Sequence, residues 1–120
     1  MNLFLNTTTS GRSACVRLSG DLVYETVDAM VDAAVQLLGQ QPAPHLHLDL
    51  AELAFCDSAG LSGLLLVHRR CARAGVRLHL DHRPQFLDRI LDVTGTFEHL
   101  VTASVSEAGG QNFPGETRVR

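Results

Sequence analysis

One serine of this chain lies where its hydroxyl could do chemistry. Ser58 is the central residue of Phe-Cys-Asp-Ser-Ala-Gly-Leu, residues 55–61, between an apolar strand pattern and a helical one. Serine is a favoured N-cap because its oxygen accepts a hydrogen bond from a backbone N–H that the helix leaves unpaired. We therefore expect Ser58 to cap a helix. The positive end of a helix also tolerates a phosphate, which adds roughly −1.5 to −2 charges at pH 7.

A hydrolase is the catalytic alternative for the same serine. Residues 56–60 resemble part of the nucleophile elbow Gly-x-Ser-x-Gly, although Cys56 replaces its first glycine. Asp81 and His99 follow in the chain order that such an enzyme would need. Because 120 residues leave little room for the sheet and cap of a hydrolase, we expect no enzyme.

Three histidines are the candidates for a metal site. His45 and His47 alternate on a predicted strand and share a face, and His79 lies on a later strand. The same pattern is typical of the half-exposed face of a sheet, which we favour, so we expect no metal ligand. Neither Gly-x-Gly-x-x-Gly nor a Walker motif occurs. We expect no cofactor, and any phosphate would come from a partner.

Composition narrows the class of protein. The chain has 120 residues, which predicts one domain, and its net charge of −3 argues against a nucleic-acid binder. Three widely spaced cysteines, none in a Cys-x-x-Cys pair, indicate reduced thiols in the cytoplasm. The sequence shows neither a secretory leader nor an apolar run of about 20 residues, so we expect no membrane segment.

Hydrophobic periodicity predicts the elements that position Ser58. Residues 2–8 and 14–19 alternate as two strands of a hairpin, and a loop over 20–24 leads to a helix that Gly39 and Pro42 end. Residues 45–50 and 53–55 form a strand with a break at 51–52, and a strand at 76–80 precedes a helix that begins near Pro84 and ends at Gly95. The apolar stripe of the helix after Ser58 consists of Leu61, Leu64, Leu65, His68 and Ala72.

The resulting order is β-β-α-β-α-β-α, with a strand or short helix at 97–105. This order predicts a single α/β domain with an open mixed sheet of four to five strands and helices mainly on one face. We expect the domain to span residues 1–106 and residues 107–120 to form a flexible tail. Ser58 then lies at the carboxyl end of a strand, where open α/β sheets usually place their sites.

Residues 55–61 resemble the strand-end turn Asp-Ser-Ser/Thr-Gly-Leu of the STAS domains of bacterial anti-sigma-factor antagonists. The resemblance extends from Arg17-Leu-Ser-Gly-Asp-Leu to Ile90-Leu-Asp-Val-Thr-Gly-Thr-Phe. Val23 stands where the family often has an acid, Ala59 removes a second hydroxyl, and Ser62 replaces a common glycine. The serine after the aspartate is the regulatory phosphorylation site of that family, which here is Ser58.

The resemblance implies a switch in bacterial transcription, of the kind used in stress response or sporulation. The unphosphorylated protein would bind an anti-sigma factor that is also a serine kinase, and a serine phosphatase would reverse its inactivation. We expect a monomer or weak dimer whose partner-binding residues are Asp57, Ser58, Ala59, Gly60, Ser62, Asp21, Val23 and Tyr24. The alternative is a scaffold or sensory STAS module that works by assembly, with copies of itself or a transporter-like partner, without kinase titration.

Overall fold

Seven elements follow one another in the order that the periodicity predicts. The computed structural model describes residues 2–40 and 43–96. The elements are β1 (Leu3–Ser10), β2 (Ser13–Leu22), α1 (Val27–Gln40), β3 (His45–Cys56), α2 (Ser58–Ala74), β4 (Arg77–Asp81) and α3 (Gln85–Val93). The element predicted at 97–105 and the tail predicted at 107–120 lie outside the described residues.

The four strands form one mixed sheet in the order β1-β2-β3-β4. β1 and β2 pair antiparallel across the turn at Gly11, which confirms the predicted hairpin. β2 and β3 pair parallel, as do β3 and β4. Each parallel connection contains a helix, α1 or α2, as parallel neighbours require. The predicted open mixed sheet is therefore confirmed.

One face of the sheet carries the hydrophobic core. Along β2, β3 and β4 the residues that alternate inward are buried, and they form one cluster with buried residues of the three helices. The strand members include Val16, Leu18, Leu46, Leu48, Leu50, Leu78 and Leu80, and the helix members include Met30, Ala34, Leu64, Val67, Cys71, Leu87 and Leu91. The residues between them on the strands are polar and only partly covered. The helices thus lie mainly on one face, as expected.

Two strands are longer than the sequence pattern indicates. β2 continues through residues 20–22 because Asp21 and Leu22 pair with Phe55 and Cys56 of β3. β3 runs without interruption through residues 51–52, where we expected a break. The irregularity is instead a shift in the register with β2, and the Ala51 N–H donates to Asp49 Oδ1 at that point.

The buried stripe of α2 differs in part from the predicted one. Leu61 and Leu64 are buried as expected, but Ala72 is exposed, and Val67 and Cys71 fill the later positions. The stripe therefore shifts by one residue toward the side that faces the sheet. Gly75 ends the helix in the left-handed conformation, with a positive φ of 72°, which glycine adopts without steric cost.

Candidate functional site

Asp57, not Ser58, caps helix α2. Asp57 has an extended backbone, and its Oδ1 accepts a hydrogen bond from the Gly60 N–H at 2.8 Å. The first backbone bond of the helix runs from the Leu61 N–H to the Asp57 carbonyl. Ser58 is therefore the first helical residue, and our expectation that it caps the helix is wrong. The carboxylate of Asp57 takes the capping role, and Ser58 on the first turn of the helix is exposed.

Asp57 also joins three segments of the chain. Its second oxygen, Oδ2, accepts a hydrogen bond from the Tyr24 N–H at 3.2 Å, and its own N–H donates to the Leu22 carbonyl at 3.2 Å. The end of β2, the segment before α1 and the first turn of α2 thus meet at one residue, through its backbone N–H and its carboxylate. A phosphate on Ser58 would lie beside this junction, at the positive end of the α2 dipole.

Gly60 allows the first turn of α2 to lie directly against the end of β2. A Cβ atom at this position would overlap the Leu22 carbonyl oxygen and would lie 2.9 Å from Cys56 Sγ. The glycine of the Asp-Ser-Ala-Gly sequence is thus explained by a close approach of backbones, and the turn has no room to shift toward β2.

The structure brings most of the predicted site residues to one end of the sheet. Ser58, Ser62 and Tyr24 are exposed, and Asp57, Ala59 and Asp21 are partly exposed. Gly60 and Val23 are buried, with Val23 only 2% exposed. These two predicted binding residues are therefore covered by their neighbours, and the side chain of Val23 packs in the interior.

Two residues of this region were missed in the sequence. The Thr26 hydroxyl donates to the Asp21 carbonyl at 2.7 Å and accepts from the Val23 N–H at 3.0 Å, so it fixes the turn that presents Tyr24. A threonine directly before an apolar helical stripe is a recognisable signal for such a role. Phe55 is 47% exposed two residues before Asp57, and the strand pattern alone does not reveal this.

The residues proposed for a hydrolase do not come together in the described chain. Asp81 pairs with Asp49 of β3, seven residues before Cys56, which is roughly 23 Å at the rise of a β-strand. Asp81 Oδ2 instead lies 2.8 Å from His47 Nδ1 on the outer face of the sheet. His99 lies outside the residues that the structure describes.

The histidines of the candidate metal site do share one face. His45 Nδ1 lies 3.0 Å from His79 Nε2, and the rings of His47 and His79 stack at 4.4 Å. In the part of the chain that is described, no group of three or more His, Cys, Asp or Glu residues could hold a metal ion. The imidazole nitrogens face one another and a carboxylate rather than a shared centre.

The thiol beneath the turn is not a reactive group. Burial raises the pKa of Cys56 to about 11, and the charge of Asp57 acts in the same direction. Burial likewise raises the pKa of Cys71 to about 11. Since the thiolate is the nucleophile, both residues serve as small apolar core residues. All three cysteines are free.

Comparison with known proteins gives the family. The family model described as "Mlab, STAS domain" matches residues 5–102, most of the chain. The chain belongs to the STAS-domain family. The Asp57–Gly60 turn therefore lies in a STAS domain, at the end of β3. Among the described helices, none is long and apolar enough to cross a membrane.

Several solved structures share the fold. An anti-sigma factor antagonist from Mycobacterium paratuberculosis aligns with a TM-score of 0.72 and 18% identity, over 88% of this chain and 93% of that one. The unphosphorylated anti-sigma factor antagonist SpoIIAA gives a TM-score of 0.62 at 18% identity, over 76% and 82%. A sulfate transporter family protein from Wolinella succinogenes gives 0.69 at 15% identity, over 81% and 78%.

These identities are low, so the likeness extends to the fold and not to a partner. The chain also spans only 19% of the length of Mglu, which it matches over 67% of its own length with a TM-score of 0.59 at 22% identity. The same fold thus occurs within a much larger chain.

Proposed function

We propose that this STAS domain is an anti-sigma-factor antagonist that is switched off by phosphorylation of Ser58. The observation that carries the proposal is the position of Ser58: an exposed hydroxyl on the first residue of α2, on a turn that Asp57 and Gly60 hold in place. A kinase could reach this hydroxyl without disturbing the core. Two structural neighbours that are anti-sigma factor antagonists support the assignment.

The proposed switch is electrostatic. A phosphate on Ser58 adds roughly −1.5 to −2 charges next to the Asp57 carboxylate, with Asp21 and Glu25 on the neighbouring segment. The dipole of α2 favours negative charge at this end, so the fold tolerates the group. A partner surface matched to the neutral serine would face a strongly anionic patch, and unfavourable charge pairing at interfaces costs on the order of several kcal/mol.

The partner that we propose is an anti-sigma factor with serine-kinase activity, and a serine phosphatase would restore the unphosphorylated form. The contact surface would consist of Asp57, Ser58 and Ala59, with Asp21, Tyr24 and Ser62 around them. Tyr24 is 77% exposed, and tyrosine is enriched among the residues that dominate binding energy. We place the exchange in the cytoplasm, where three free thiols remain reduced. The protein would act as a monomer or weak dimer and would bind no nucleic acid.

The test uses the full chain and the anti-sigma factors encoded in the same genome. We expect one of them, with Mg-ATP, to add one phosphate at Ser58, as read by intact mass and site mapping. Ser58→Ala should bind that partner like the unmodified chain, while Ser58→Asp should bind at least about 30-fold more weakly, on the scale of 2 kcal/mol.

A matched control separates a local switch from a change in net charge. Ser10 is exposed at the end of β1, and its partner Ser13 begins β2. It therefore lies roughly 30 Å along β2 from the Leu22 end. Ser10→Asp should bind like wild type. Equal affinities of Ser58→Asp and Ser10→Asp would rule out the proposed switch.

A second candidate function is a STAS module that works by assembly without a kinase. The neighbour from the sulfate transporter family supports it, since that likeness covers 78% of the other chain. This function would require neither an accessible Ser58 nor its modification. Unmodified Ser58 in cells under both growth and stress, together with a large assembly by light scattering, would favour it over the antagonist.

A further inference from the structure

A second cluster of ionisable groups lies on the outer face of the sheet and is independent of the proposed function. The rings of His47 and His79 stack at 4.4 Å with an interplanar angle of 13°, and the ring of His45 lies 5.2 Å from that of His79. His45 Nδ1 and His79 Nε2 are 3.0 Å apart. One of these nitrogens must donate and the other accept, so the contact holds only while one of the two rings is neutral.

The strand register places like groups opposite one another. His45 faces Arg77, His47 faces His79, and Asp49 faces Asp81 across the β3–β4 pair. Directly opposite like charges destabilise a sheet. The compensating contact is diagonal: His47 Nδ1 lies 2.8 Å from Asp81 Oδ2. The charge across this strand pair therefore changes when the histidines bind protons.

The charge of the whole face follows from the groups that each element contributes. β1 brings neutral Asn6 and Thr8 opposite Arg17 and Cys15 of β2. The Arg17 guanidinium and the imidazole of His82 lie 4.0 Å and 3.2 Å from the two Asp49 carboxylate oxygens. With neutral imidazoles, the charged groups of this face are two arginines, Arg17 and Arg77, and three carboxylates, Asp49, Asp81 and Glu52. A proton on His79 would add positive charge to a part of the face that already carries Arg77, while Asp49 is contacted by Arg17 and His82 and Asp81 by His47.

We infer that this face is a proton-sensitive element of the fold: proton uptake by His79, whose ring packs against those of His47 and His45, weakens the pairing of β4 with β3. The environment of His79 supports the inference. Burial lowers its pKa from the ordinary value of 6.5, and the charges of His47, His45 and Arg77 act in the same direction, against Asp81. The unfolded chain therefore binds this proton more readily than the folded one. Neutral His79 therefore makes its full contribution to stability above pH 6.5, and this contribution is lost as the pH falls through the pKa of His79 in the folded chain.

The experiment compares folding constants from urea unfolding of the full chain at pH 7.5 and pH 5.5. Between pH 7.5 and pH 5.5 the folding constant of each protein should fall by some factor. We expect this factor to be about threefold larger for the wild type than for His79→Gln, on the scale of one like-charge cross-strand pair. Amide exchange should localise the loss. The protection factors of Leu78 and Leu80 should fall at pH 5.5 more than those of β1 and β2.

His82→Gln is the matched control, because it removes an exposed histidine from the same face but outside the packed rings. It should not reduce the pH dependence. Proton titration of the imidazole signals in the wild-type chain gives a readout that does not depend on any variant folding. Equal pH dependence of wild type and His79→Gln, or titration of His79 at or above 6.5, would overturn the inference.

Discussion

Gly60 has no room for a side chain, and this single restriction fixes the geometry of the turn that carries Ser58. The nearest atoms to a Cβ would be a backbone oxygen of Leu22 and the Sγ of Cys56. The Leu22 oxygen belongs to the backbone of β2, so moving it would disturb the pairing of the sheet at a cost in free energy. The hydroxyl of Ser58, two residues earlier, is therefore presented from a rigid support.

At this scale we predict that Gly60→Ala destabilises the protein by about 1–3 kcal/mol through overpacking. Gly39→Ala is the control, since Gly39 lies in α1 with nothing within 4 Å of its Cβ position. Alanine should raise the stability there by up to about 1 kcal/mol, because it loses less backbone freedom in a helix. Urea unfolding of both variants gives the comparison, and destabilisation by both would contradict the contact argument.

At the scale of elements, Asp57 connects α2 to the segment that leads into α1. One hydrogen bond to its carboxylate comes from Gly60 in α2 and the other from Tyr24 in the turn before α1, and its backbone N–H donates to the end of β2. The orientation of α2 and the position of Tyr24 are therefore set by the same group.

We predict that Asp57→Ala lowers the free energy of unfolding by about 1 kcal/mol, the usual loss for an N-cap. Asp57→Asn should lose less, because its amide oxygen still accepts from the Gly60 N–H, while its NH2 group cannot accept from the Tyr24 N–H. Amide chemical shifts should move at Tyr24 in both variants and strongly at Gly60 only in Asp57→Ala.

Asp92→Ala serves as the control for this pair. Asp92 is exposed near the C-terminal end of α3, where the macrodipole disfavours a carboxylate. Its removal should leave the stability unchanged or slightly higher. A loss at Asp92 as large as at Asp57 would show that the cap is not the cause.

At the scale of the whole molecule, the core holds two thiols that report on its integrity. Cys56 and Cys71 are buried on the side of the sheet that the helices cover, whereas Cys15 is partly exposed on the other face. Their raised pKa values keep them as thiols at neutral pH.

We predict that iodoacetamide at pH 8 modifies Cys15 well before Cys56 and Cys71 in the native protein. Modification of the two buried thiols requires opening of the core, so their rate should rise with urea in step with global unfolding. Peptide mass mapping over time measures all three residues, and Cys15→Ser removes the fast phase as a control. Labelling of Cys56 as fast as Cys15 without urea would contradict a closed core.

The fold of the whole molecule could be predicted from the sequence because each element repeats its hydrophobic pattern several times. Alternating leucines define β3 and β4, and helical spacing defines α1, so the element order and the mixed sheet are confirmed. The exact cap was not accessible. Asp57 and Ser58 are both good N-cap residues, and only the folded chain shows that Asp57 accepts from the Gly60 N–H and also from the N–H of Tyr24, 33 residues away. The extension of β2 to Leu22 depends on pairing with β3 in the same way.

The bond between Tyr24 and Asp57 has a further consequence for the newly made chain. It joins residues that are far apart in sequence. The parallel pairing of β2 with β3 also requires that all of α1, which connects the two strands, has already been made. Such non-local contacts form slowly, since the chain between them must be ordered beforehand. A growing polypeptide that has not yet completed this pairing does not present the Ser58 turn in its final form. A partner that bound the turn in this form would therefore bind only the folded chain.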